Sequence, residues 1–92
     1  MKDIMLPTIH MNGTSLAALA EVNDRAHYAL LTAIAKLAEA APNGRDYYPQ
    51  SPEALYKAQD EHWDRINRLQ SVTKELEQIG EYLAMEEARR KR

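Results

Sequence analysis

Two short polar runs hold most of the side chains able to do chemistry. The first is Ile-His-Met-Asn-Gly-Thr-Ser over residues 9–15, which offers His10, Asn12, Thr14 and Ser15 beside Gly13. The second is Pro-Asn-Gly-Arg-Asp-Tyr-Tyr-Pro over 42–49, which offers Arg45, Tyr47 and Tyr48. Hydroxyls and a glycine just ahead of a helix suit an anion, because free backbone N–H groups and the positive dipole end lie there. Arg45 is a permanent planar cation that grips phosphate or carboxylate, and adjacent tyrosines give faces on which a base can stack. The chemistry this set fits is capture of a nucleotide-like anion. Each residue also has a plainer role open to it. Asn12-Gly13 can turn the chain, and Thr14 or Ser15 can cap a helix. One tyrosine can cover a hairpin end, and Arg45 can pair with Asp46 or cap the first helix.

Catalysis is not expected. No nucleophile elbow, phosphate-binding Walker loop or dinucleotide fingerprint occurs. Acidic pairs such as Asp60-Glu61 fall on a helix surface with no predicted cleft. Cysteine is absent, which removes disulfides, thiol catalysis and thiolate metal sites and suits a reducing cytoplasm. His10, His27 and His62 are scattered. In a hairpin His27 would lie about one turn from His62, which is too few ligands for a metal. No metal or other cofactor is expected.

The elements that position these residues read as all-α. Residues 1–14 form an arm that Pro7 keeps extended. A first helix is predicted over 15–41. Its buried stripe is Leu16, Leu19, Ala26, Leu30, Ala33 and Leu37, widened by Val22, Leu31, Ile34 and Ala38. Pro42 and Asn43-Gly44 stop it. After a loop over 42–51, Ser51-Pro52-Glu53 opens a second helix running to about residue 89. Ser51 caps, Pro52 takes the first turn where its missing N–H costs nothing, and Glu53 meets the dipole. Leu55, His62, Ile66, Leu69, Thr73, Leu76, Gly80 and Leu83 form its near-heptad seam. The two helices are predicted to fold as one long antiparallel hairpin with Ala41 facing Pro52 and Ser15 facing Gln78. Ile79, Tyr82 and Leu83 would then lie beyond the first helix, covered by the arm or by another subunit.

The 92 residues make a single domain, and so short a chain needs a small core or a partner subunit for stability. Homo-oligomerisation is therefore expected. No apolar run is long enough for a bilayer, and the first residues do not read as a signal peptide. The net charge of −2 argues against general nucleic-acid binding. Arg89-Arg90-Lys91-Arg92 is one basic cluster at a helix end; four cations there could touch phosphate, and the plainer role is to complement the helix dipole and fray into solvent.

The layout of an Ile-His-x-Asn-Gly-Thr-Ser arm, an Ala-rich helix, a Pro-Asn-Gly-Arg-Asp-Tyr-Tyr loop and a second charged helix resembles a group of small tailed-phage and prophage proteins. The match covers residues 9 to about 83. That group brings no established activity with it. More loosely, the chain is similar to phage helical-hairpin proteins that sequester the cyclic nucleotide signals of CBASS and Thoeris immunity. Pro42-Asn43-Gly44-Arg45-Asp46 fits their loop pattern. The resemblance implies a non-enzymatic anti-defence sponge in the cytoplasm of an infected bacterium. His10, Asn12, Thr14, Ser15, Arg45, Tyr47 and Tyr48 would line its pocket. Since the two motifs sit at opposite ends of the first helix, the pocket is expected between antiparallel subunits. The competing expectation is an interaction protein that inhibits or adapts a host or phage protein through its helices.

Overall fold

A computed structural model describes residues 3–91. Met1 and Lys2 of the arm and Arg92 of the basic cluster lie outside the described residues. The described chain is helical, with α1 over Leu16–Glu39, a single turn α2 over Gly44–Tyr47, and α3 over Pro52–Arg90. No helix among them is long and apolar enough to cross a membrane.

Capping explains the helix limits. Ser15 rather than Thr14 starts α1, its Oγ accepting from Ala18 N at 3.2 Å. α1 ends at Glu39, two residues short of the predicted end. The residue before a proline is pushed out of helical geometry, so Ala41 cannot extend the helix into Pro42. Ser51 Oγ accepts from Ala54 N at 3.2 Å, with Pro52 following as the first helical residue. The loop contains a helical turn that its sequence does not predict. Tyr48 N donates to Gly44 O at 2.9 Å, closing one helical turn inside it.

α1 and α3 run side by side in opposite directions. Asn23 Nδ2 donates to Leu76 O at 3.0 Å near one end. His62 Nε2 bonds Leu37 O at 2.8 Å near the other. A carbonyl only accepts, so Nε2 carries the hydrogen. These bonds correct the predicted register. Leu37 stands beside His62, so α1 ends well after α3 has begun, and Ala41 does not face Pro52. The first ten residues of α3 instead take α2 and its loop, with Leu55 nearest to Gly44. The far end of α1 is thereby carried along α3 to Leu83. That residue is only 2 % exposed, while Ile79 and Tyr82 are half-buried.

The predicted α3 seam holds: His62, Ile66, Thr73 and Leu83 are buried and Leu55, Leu69, Leu76 and Gly80 half-buried, with Ala58 as an unpredicted buried addition. The α1 stripe is met in part: Leu16, Leu19, Leu30, Ile34 and Leu37 are half-buried as predicted, and Ala18, Ala20, Asn23 and His27 join them. Leu16, Ala20, Asn23, His27, Leu30, Ile34 and Leu37 alternate by four and three along the helix. Ala26, Ala33 and Ala38 face water, as do Val22 and Leu31. Two polar residues thus replace two alanines in the seam. The molecule measures 63 × 22 × 22 Å. Its surface is 7347 Å² for 10.5 kDa, about 1,900 Å² more than a compact monomer of that mass exposes.

Candidate functional site

Twenty-four residues of α1, about 36 Å of helix, separate the two polar motifs. They do not meet within one chain. The arm motif sits at the Leu16 end. Gly13 N donates to His10 O at 3.1 Å, closing a turn through Met11 and Asn12. The His10 imidazole lies over Gly13 so closely that a side chain there would meet Nε2 at 2.8 Å. A side chain at that position would push the exposed His10 ring aside. His10, Asn12, Thr14 and Ser15 are all exposed, and only Ser15 is committed, as the α1 cap.

The loop motif sits at the other end. Asp46 N donates to Asn43 O at 3.3 Å and Gln50 N to Tyr47 O at 3.0 Å, which holds the segment in a fixed shape. Tyr47 is half-buried, as expected of a ring covering the hairpin end, and Tyr48 is 76 % exposed. Arg45 is exposed and forms no ion pair among the described residues. It neither pairs with Asp46 nor caps α1. The carbonyl of Leu37 at that helix end is satisfied instead by His62 and by Ala40 N. One acceptor in the loop, Asn43 Oδ1, is buried without a hydrogen-bond partner. Its sequence signal, a turn-forming Asn-Gly pair, does not distinguish it from any other turn.

Four surface grooves of the described residues lie elsewhere. One is lined by Asp60, Glu61, Asp64, Arg65 and Arg68, a charged face of α3 in which Arg68 binds Asp64 at 3.0 Å. Another is lined by Leu31, Ile34, Gln70, Thr73, Lys74 and Glu77, between the two long helices. None includes a motif residue.

The histidines are not brought together. His27 lies beside Glu77, its buried Nε2 3.9 Å from the carboxylate and without a hydrogen bond. His62 is ten residues further along the seam, at Leu37. This replaces the expected spacing of one turn. Among the described residues no three His, Asp or Glu side chains converge as a metal would need.

The terminal basic cluster is largely neutralised in place. Arg89 grips Glu86 with two bonds, of 2.8 and 3.0 Å, Arg90 approaches the same carboxylate, and Lys91 pairs with Glu87 at 3.2 Å. The hydrogen bond from Arg89 holds the Glu86 carboxyl below its ordinary range, with desolvation opposing. Partial neutralisation of this kind weakens the case for phosphate binding there. Comparison with known protein families, characterised proteins and solved structures finds no match.

Proposed function

We propose that this chain acts by binding rather than by catalysis, and that its ligand is a nucleotide-like anion held between subunits. One observation carries the reading. Several polar groups of both motifs are displayed on ordered turns yet left uncommitted: Arg45 has no counter-ion among the described residues, Tyr48 is open to stacking, and His10 and Asn12 face solvent. An unpaired guanidinium beside an accessible aromatic ring suits a phosphate and a base. In the setting that the sequence resemblance implies, the protein would be a phage sponge that titrates a cyclic nucleotide alarm signal. A sponge needs affinity and abundance, and no reacting groups.

Isothermal calorimetry against cyclic di- and trinucleotides and cyclic ADP-ribose isomers tests the reading. Binding of one of them, abolished by Arg45→Ala with oligomer mass unchanged, supports it. Loss of the oligomer in Arg45→Ala, or no heat with any of these ligands, refutes it. The exposed aromatic rings of α3 favour one second reading, an adaptor or inhibitor of another protein. A single host protein retained on immobilised chain, and lost in Trp63→Ala, would support that instead.

A further inference from the structure

We infer that Asn12 is a site of self-modification, where the Gly13 peptide nitrogen closes on the Asn12 side chain and turns its amide into a carboxylate, while the same dipeptide at Asn43-Gly44 is shielded by the fold around it. What this does to ligand capture rests on the binding reading above; the reaction itself does not. The chain has four asparagines, and two of them, Asn12 and Asn43, precede glycine. Glycine has no side chain to crowd the attacking nitrogen and the freest backbone to bring it round. In the first step Gly13 N bonds to Asn12 Cγ, and the bond from Cγ to Nδ2 breaks. The proton of Gly13 N reaches the departing nitrogen through solvent, and ammonia leaves. The five-membered imide then takes up water. Opening at one carbonyl gives aspartate. Opening at the other gives isoaspartate, in which the main chain runs through the former side chain.

The structure separates the two pairs. Asn12 is exposed, and Gly13 N makes one hydrogen bond, to His10 O at 3.1 Å. Breaking it frees the nitrogen without disturbing α1, which Ser15 caps independently. Asn43 is half-buried, and its Oδ1 is enclosed by protein. Its carbonyl accepts from Asp46 N at 3.3 Å, and that of Gly44 accepts from Tyr48 N at 2.9 Å. Swinging Gly44 N onto Asn43 Cγ therefore requires α2 to unwind and the side chain to leave its packed position. Openings that break one exposed bond are far more frequent than those that dismantle a packed turn. Asn23 and Asn67 lie inside α1 and α3, where regular helix holds the next peptide in place. The product puts a negative charge in the arm motif, three residues ahead of Ser15. There it suits the positive end of the α1 dipole and repels an anionic ligand. Isoaspartate also adds a backbone carbon to the turn between His10 and Gly13.

Peptide mapping of the full chain, aged in warm and mildly alkaline buffer, decides it. Trypsin cuts after Arg25, Lys36 and Arg45 put Asn12 and Asn43 on separate peptides, and fragment ions separate Asn12 from Asn23. The mass gain of deamidation should build up at Asn12 several-fold faster than at Asn43, and Gly13→Ala should remove most of it. In urea, with both turns lost, the two pairs should convert at comparable rates. Equal rates at Asn12 and Asn43 in the folded chain, or an Asn12 that converts in urea but not in buffer, would overturn the site. Asn12→Asp supplies the product directly. It should keep the helical circular dichroism of the native chain and lose calorimetric heat with the cyclic di- and trinucleotides; undiminished heat would overturn the effect on the ligand. The mass spectra decide the reaction whatever calorimetry shows, so a native chain that binds no nucleotide defeats the functional reading alone.

Discussion

Gly80→Ala sets two known magnitudes against each other at one contact. Gly80 lies inside α3, where alanine is favoured over glycine by about 1 kcal/mol. A methyl group there would lie 3.2 Å from Asn23 Nδ2 across the seam. That nitrogen already donates to Leu76 O at 3.0 Å. The amide must give by a few tenths of an ångström, which strains a bond whose net worth is about 1 kcal/mol. Gain and loss nearly cancel, so Gly80→Ala in the native sequence should change stability by less than about 0.5 kcal/mol. In an Asn23→Ala background the obstacle is gone and the same change should add about 1 kcal/mol. For a chain this size that is about 4–8 °C in midpoint. Urea unfolding followed by circular dichroism, at one fixed protein concentration, measures all four corners of the cycle. A full 1 kcal/mol gain in the native background, with no coupling, would show that Asn23 and Gly80 are not neighbours and that the register is wrong.

Removing the Ser51 hydroxyl with Ser51→Ala should cost about 1 kcal/mol by the same assay, because it frees Ala54 N from its cap. His62→Ala deletes a buried ring and the donor to Leu37 O; about 2–3 kcal/mol is expected, and His62→Gln should recover part of it. Glu86 has its carboxyl lowered by Arg89, so the pair's contribution is present above the ordinary carboxylate range and fades as pH falls through the lowered value. Side-chain carbon chemical shifts should place its midpoint below the ordinary glutamate range, and Arg89→Ala should raise it; an unmoved midpoint counts against the bond.

Helix content and the α3 seam were legible because both rest on short-range rules. Ser51-Pro52-Glu53 is a strong start signal, and Leu55 to Leu83 keeps a heptad with little competition. Half of the predicted α1 face, Val22, Ala26, Leu31, Ala33 and Ala38, points to water for a physical reason. Alanine lies on every side of that helix, so its apolar pattern points nowhere in particular. Asn23 and His27 look like outward residues in such a pattern. Asn23 turns inward to the Leu76 carbonyl that α3 offers it, while His27 turns inward beside Glu77 without a hydrogen bond. The register was hidden in the loop. Nothing in Pro42-Asn43-Gly44 announces that α2 will fold back as a turn and claim the first ten residues of α3. The motif residues were legible as polar turns, and the arm and loop turns are where expected.

Cross-seam bonds span very different lengths of chain, 25 residues for Leu37 to His62 and 53 for Asn23 to Leu76. Closing the shorter loop forfeits less chain freedom, and each turn formed then brings the next pair within reach. The hairpin should close like a zipper from the Pro42 end and reopen from the Leu83 end. Hydrogen exchange would then run fastest near Leu16 and Leu83 and slowest near Leu37 and His62. The arm motif would be the last part of the molecule to gain its shape and the first to surrender it.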